Sequence, residues 1–298
     1  MTTTAQAQRI KAAMPKPHSA QRQIMNAEAR FVVVCCGRRF GKTSFIPRFR
    51  FRQMVAGLPG AYFAPNYKML QQFYRDTSML LDPIITHRSK QEHRFEFVTG
   101  GSLTMWSLDS ADTVRGQKYA FADIDEAAMI PHLEDAWNAV IRPTLTDFEG
   151  KSGSWSTPKG LNYFYTLHNR GSDPSFEDWA AFQFPTSANP FIAKGEIAAA
   201  EQELPADVFR QEYLAEFIQG EGAVFRNITA NLYDGSGERP EAHSGHTIVA
   251  GVDWGAVNDF TAISIGCETC GKEVELDRFN KIEWDFQRAR LIGLLNKW

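Results

Sequence analysis

The chain has 298 residues, 43% hydrophobic and 22% charged, with a formal net charge of −3. This is an ordinary globular composition, long enough for about two domains of ~150 residues, each with a buried core. The near-neutral balance excludes a global pull toward nucleic acid, so any such contact must come from local patches, and no apolar run approaches the ~18 residues of a membrane-spanning helix.

Residues 1 to about 17 are polar and end in Pro15-Lys16-Pro17, a loose arm without the basic-then-apolar pattern of a secretory signal, so a soluble intracellular protein is expected. Gln21 opens a short helix. A glutamine just upstream of a phosphate loop can hydrogen-bond an adenine edge through its amide. Arg30 to Cys35 is apolar and β-branched and predicts a buried strand, with Cys35 and Cys36 as small core residues of a reducing compartment.

The stretch Gly37-Arg38-Arg39-Phe40-Gly41-Lys42-Thr43-Ser44 follows. A buried strand running into a glycine-bearing turn, closed by Gly-Lys-Thr at a helix start, is the build of a phosphate-gripping loop. Backbone N–H groups turn inward as an anion nest, the lysine reaches the β/γ-phosphates, and the threonine hydroxyl takes Mg2+. The spelling departs from G-x-x-x-x-G-K-[ST], because Cys36 occupies the first glycine position and Gly37 falls one place late; a purely structural turn is the alternative reading. The cations Arg38, Arg39, Lys42, Arg48, Arg50 and Arg52 cluster without an acid and read as a solvated helix face.

A helix is predicted over 43–55 and a short strand over 61–64 that stops at Pro65. A helix follows over 67–81, then a hairpin of 94–98 and 103–107 around Gly100-Gly101. Strands alternating with helices indicate an α/β fold with a mainly parallel central sheet. The run Tyr119 to Asp125, ending in Asp125-Glu126, is a strand with an acidic pair at its carboxyl end. There the aspartate can hold Mg2+ and the glutamate can orient or deprotonate an attacking water. Asp123 is a charge where a buried strand prefers an apolar residue, so it reads as an outer carboxylate or as a shift of the pair's register. A helical stretch over 131–147 contains Arg142. Lys151-Ser152-Gly153-Ser154 is polar and reads as flexible, ahead of Ser156-Thr157-Pro158, where Thr157 could sense the γ-phosphate. Another helix is expected over 207–217.

Residues 221–245 are rich in Gly, Asn and Ser and read as a linker between a domain of 1–220 and one beginning at 246. A second β-unit has strands over 247–255, 261–267 and 272–279 and a helix over 285–298. Asp253 lies in the first of these strands. Cys267-x-x-Cys270 is half of a zinc-knuckle pattern, and without an accompanying pair it reads as a metal-free hairpin tip.

In order, Gln21, the loop 36–43, Arg115-Gly116, Ile124-Asp125-Glu126, Ser156-Thr157-Pro158, Asn189-Pro190-Phe191, Arg210-Gln211-Glu212-Tyr213 and Gly251-Val252-Asp253 resemble the large terminase subunit of tailed bacteriophages. The resemblance implies a P-loop ATPase domain followed by an incomplete ribonuclease-H-like nuclease domain. It implies ATP and Mg2+ as ligands, held by Gln21, Gly37, Arg38, Arg39, Phe40, Gly41, Lys42, Thr43 and Ser44, with Asp125 completing the metal site. Glu126 would be the water activator, Thr157 the coupling residue and Arg39 a phosphate sensor. Arg115 would be an arginine finger in the neighbouring subunit's site, with Arg142 as the other possibility. Asp253 would be one ligand of a nuclease metal, Mg2+ or Mn2+, whose other carboxylates would lie beyond Trp298, so DNA cutting is not expected of this chain alone. The implied partners are double-stranded DNA, the phage portal protein, the small terminase subunit and a homo-oligomeric ring, in the host cell cytoplasm and without a membrane. A helicase-like translocase and a non-hydrolysing nucleotide-binding fragment are the alternatives.

Overall fold

The computed structural model describes residues 14–109, 114–218, 239–255 and 260–298. The arm before Met14, Thr113 and most of the predicted linker lie outside them. The chain divides into two compact units, residues 1–223 and 224–298.

The first unit is built on an eight-stranded sheet. In chain order its strands are β1 (Phe31–Cys36), β2 (Pro59–Ala64), β3 (Ile85–Ser89), β4 (Arg94–Phe97), β5 (Ser102–Ser107), β6 (Phe121–Asp125), β7 (Lys151–Ser156) and β8 (Trp179–Phe184). Their spatial order is β3-β4-β5-β2-β6-β7-β1-β8. From β5 to β8 every pairing is parallel, and β3, β4 and β5 pair antiparallel as an added edge. The hairpin around Gly100-Gly101 is present. Strands β3 and β8 were not legible in the sequence, since each is short and half-exposed, without clean alternation.

Both faces of the sheet are covered, which is why β1 and β6 are buried at every position. On one face Val32, Val34, Tyr62 and Trp155 pack with Ile24 of α1 (Ser19–Met25), Phe45 and Ile46 of α2 (Lys42–Val55) and Phe73 of α3 (Tyr67–Leu80). On the other, Phe31, Val33, Phe63 and Ile124 meet Trp137, Val140, Phe164 and Leu167. The helix predicted over 207–217 is shorter, Ala206–Glu212, and is followed by a loop in which Ala215 adopts φ +60°.

Three expectations are corrected by β6 and β7. The polar stretch 151–154 is no flexible segment: β7 lies between β6 and β1, and Ser152, Gly153 and Ser154 are buried. Asp123 does not shift the acidic pair. It faces Arg50, whose Nε donates to Oδ2 at 2.7 Å and Nη2 to Oδ1 at 3.2 Å, and Trp155 Nε1 donates to Oδ1 at 2.9 Å. Arg50 is 1% exposed and stacks over Phe49, so the basic cluster is not one solvated face. Gly153 sits directly opposite Asp123, and a Cβ there would lie 2.4 Å from Asp123 Oδ1. Small residues in β7 make room for the ion pair. Burial pushes the Asp123 carboxyl up, and Arg50 and Trp155 oppose the shift.

The second unit has an antiparallel three-stranded sheet, β11 (Lys272–Phe279), β10 (Thr261–Cys267) and β9 (Ile248–Asp253), in that order, and a helix over Trp284–Lys297. The strands fall where hydrophobic patterning puts them. Its core is Ile263, Ile265, Cys267, Val274 and Phe279.

Candidate functional site

At the carboxyl edge of the parallel strands, a cleft of about 600 Å3 is lined by Arg38, Arg39, Gly41, Lys42, Thr43, Ser44 and Glu126, with Phe73, Asp76 and Thr77 of α3. This is where open parallel sheets bind ligands, because successive strands deliver their following loops to one edge. The loop after β1 turns through Arg39 (φ +63°) and Gly41 (φ +93°) into α2. The first amides of a helix lack intrahelical partners, so they and the helix dipole make the start of α2 an anion site.

The lysine is gripped from two strands. Lys42 Nζ donates to Thr157 Oγ1 at 3.0 Å and lies 3.4 Å from Glu126 Oε1. Burial lowers its pKa, but the nearby carboxyl groups of Glu126 and Asp125 oppose burial and the net shift is upward, leaving the ammonium stabilised. Topology explains the meeting: β7 is inserted between β1 and β6, so Thr157 at its end stands between the loop and the acidic pair. Thr43 Oγ1 donates to Asp125 Oδ2 at 2.7 Å, and Tyr62 donates to the same oxygen at 2.9 Å. Burial, then the Glu126 charge, pushes the Asp125 carboxyl up to about 6 against those hydrogen bonds. A hydroxyl and a carboxylate in contact beside a phosphate loop are a hard-oxygen pair suited to Mg2+. Glu126 is held at φ +46°, which turns its side chain into the cleft, and Ser156 Oγ donates to its Oε2 at 3.5 Å.

The rest of the loop is held from behind. Gly37 N–H donates to Phe184 O at 3.0 Å and Arg38 N–H to Glu212 O at 2.7 Å, so these two amides are engaged by protein and the nest begins later than the sequence suggests. Thr186 Oγ1 donates to Arg38 O at 2.8 Å, Asn189 Nδ2 to Arg39 O at 2.6 Å, and the Arg38 guanidinium pairs with Glu212. The distant Asn189 and Arg210-Gln211-Glu212-Tyr213 stretches thus contribute a clamp on the loop, a role no local pattern could reveal. Gly37 is required by that clamp, since a Cβ would lie 2.5 Å from Thr186 Oγ1 and 2.6 Å from Tyr213 O.

Not every expected residue reaches the cleft. The Phe40 ring is buried and stacked on Phe184 with centroids 5.5 Å apart, so its side chain cannot contact a nucleotide there. Gln21 is buried beneath the loop, its Oε1 accepting from His18 N–H at 3.2 Å and its Nε2 turned toward Gly41. Arg115 does not line the cleft; its Nη1 donates to Ala139 O at 3.3 Å. Arg142 stacks over Phe31, 4.9 Å from the ring centroid, at the opposite end of β1 from the loop. Burial pushes the Cys36 thiol up to about 12, consistent with an inert core residue. In the second unit Asp253 ends β9 and is exposed, and it joins no group of three or more metal-ligating side chains among the described residues.

A family model described as the N-terminal part of the T4likevirus-type terminase large subunit matches residues 34–231. The chain belongs to the large terminase family. The terminase large subunit of Escherichia phage T5 is 29% identical, aligned over 72% of this chain and 51% of its own length; that of Thermus virus P23-45 is 28% identical, over 94% and 66%. The chain thus spans between half and two thirds of the curated large terminases it matches. Its fold superimposes on the large terminase ATPase domain of Thermus phage P74-26 with a TM-score of 0.57 at 26% identity, covering 68% of this chain and 94% of that domain. The large terminase of bacteriophage HK97 shares the fold, with a TM-score of 0.61 at 16% identity over 89% of this chain and 63% of that one. No helix among the described residues is long and apolar enough to cross a membrane.

Proposed function

We propose that this large terminase binds ATP with Mg2+ in the cleft and hydrolyses it to drive double-stranded DNA into a prohead. The observation that carries the reading is the convergence of Lys42, Thr43, Asp125, Glu126 and Thr157 from three separate strand ends onto one cleft. Lys42 and the first amides of α2 would receive the phosphates, Thr43 and Asp125 would hold Mg2+, and Arg39 would face the terminal phosphate. When bound, the metal neutralises charge on the β- and γ-phosphates. Glu126 would orient and deprotonate the attacking water once phosphates draw Lys42 away from it. Gln21, set beneath Gly41, would brace the loop that grips the nucleotide, and Thr157 would couple phosphate loss to movement of β7. Arg115 would serve a neighbouring subunit's site in a homo-oligomeric ring assembled with portal protein and small terminase subunit in the host cytoplasm. Residues 1–220 would form the motor and 221–245 the linker. Residues 246–298 would open a ribonuclease-H-like nuclease domain in which Asp253 is one ligand for Mg2+ or Mn2+.

Glu126→Gln tests the core of this reading. It is expected to keep nucleotide binding and to lower ATP turnover by about 10²–10⁴-fold, the usual contribution of a positioned general base. Turnover at the parental rate in the variant would overturn the assignment.

A further inference from the structure

In the second unit, four side chains that the nucleotide site does not use meet at the tip of the β10–β11 hairpin. The ligand atoms of His243, His246, Cys267 and Cys270 all lie within 4.8 Å of one another. Cys267 Sγ is 3.4 Å from His246 Nδ1, and Cys270 Sγ is 3.2 Å from His246 Nδ1 and 3.7 Å from His243 Nδ1. In a tetrahedral zinc site, Zn–S near 2.3 Å and Zn–N near 2.0–2.1 Å put sulfur and nitrogen ligands about 3.6 Å apart. The observed separations bracket that edge length. We infer that His243, His246, Cys267 and Cys270 form a closed, structural Cys2His2 zinc site.

The backbone around the four residues is built as a ligand frame. Cys267 closes β10, Gly271 N–H donates to Cys267 O at 2.8 Å, and Gly271 adopts φ +67° directly after the second cysteine. The Cys270 backbone N–H faces the Cys267 sulfur, as in knuckles that present two thiolates to one ion. His243 ends a 3-10 turn over Pro240–His243, and His246 N–H donates to His243 O at 2.9 Å, which holds both imidazoles on one side. The two loops are tied by Glu268 N–H donating to Thr247 O at 3.0 Å and Thr247 N–H to Thr269 Oγ1 at 3.2 Å. Two soft thiolates with two imidazoles select zinc over the hard ions that suit carboxylate sites, and a fully protein-ligated tetrahedron leaves no open position for catalysis. The ion would pin the segment entering β9 to the far end of β10. Besides Cys267, only four apolar side chains are buried in the described core of this unit, and a structural metal supplies folding free energy where a core is small.

In the sequence, His243-Ser-Gly-His246 straddles the boundary between the glycine-rich stretch 221–245 and the second β-unit, which hides it as the partner pair of Cys267-x-x-Cys270.

The test uses the full chain, produced under reducing conditions with no polyhistidine tag and measured by elemental mass spectrometry. About one zinc per chain is expected. Exchange into Co2+ should give the intense visible absorption and thiolate charge-transfer bands of a tetrahedral S2N2 site. Cys270→Ser and His246→Asn should each retain at least about ten-fold less zinc, while ATP-analogue binding by the first unit reports that the variant chain is folded. If a variant fails to fold, Co2+ exchange of the parental chain decides alone. Parental chain with no zinc and no cobalt bands while all cysteines titrate as reduced thiols would overturn the site, as would a Cys267–Cys270 disulfide in freshly reduced and re-equilibrated protein.

Discussion

Lys42 of the phosphate loop and Thr157 at the end of β7 share a 3.0 Å hydrogen bond although 115 positions separate them. The contact joins the element expected to sense phosphate to the group expected to hold it. Thr157→Val removes the hydroxyl at nearly constant volume and leaves a buried ammonium short of an acceptor. A hydrogen bond to a charged group contributes about 1.5–3 kcal/mol, so ATP turnover should fall about 10- to 150-fold if the bond matters chiefly in the transition state. Thr157→Ser should recover most of it. Steady-state hydrolysis alongside analogue binding separates the two effects, and unchanged turnover in Thr157→Val would remove Thr157 from the coupling path.

The Arg50–Asp123 pair is the second point to probe, because both groups are almost wholly buried. Arg50→Met alone strands a buried carboxylate and should cost about 3–5 kcal/mol, read as a lower urea midpoint. Adding Asp123→Asn removes the stranded charge, keeps an acceptor for Trp155, and should restore most of the loss. Equal destabilisation in the single and double variants would mean that volume, not charge, governs the site.

Gly153→Ala tests why β7 is small and polar. The new Cβ would fall 2.4 Å from Asp123 Oδ1 and 2.6 Å from Trp155 Nε1, inside any tolerable contact, so a loss of about 1–3 kcal/mol is expected by thermal or chemical unfolding. A neutral outcome would show that the ion pair has room to move.

Gly37→Ala addresses the clamp on the loop. The added methyl meets Thr186 and the Tyr213 carbonyl, and most of the atoms in its way are backbone, so the loop must lift from its support. Nucleotide affinity should drop about ten-fold or more, equivalent to roughly 1.4 kcal/mol. Gly195→Ala, where nothing lies within 4 Å, is the matched control and should be neutral or slightly stabilising. Equal affinity in both variants would count against the clamp.

Much of this large terminase is local and therefore legible in its sequence. Hydrophobic runs and glycine or proline stops predict β1, β2, β6, β9, β10 and β11, because burial on a pleated surface imposes its period residue by residue. The proposed phosphate and metal chemistry is read from the residue types and spacing of Lys42-Thr43 and Asp125-Glu126, which are local. What the sequence alone could not decide are the matters that depend on which strand lies beside which. The run 151–154 reads as polar and flexible until β7 is seen between β6 and β1, where Gly153 makes space for Asp123 and its partner Arg50. The engaged amides of Gly37 and Arg38 follow from β8 and from Glu212, over 140 residues downstream. His243 and His246 become partners of Cys267 and Cys270 only because β9 pairs antiparallel with β10, which returns the segment before β9 to the end of β10. Local propensity sets what each segment can be. Strand order, which the packing of distant side chains selects, determines which of those segments meet.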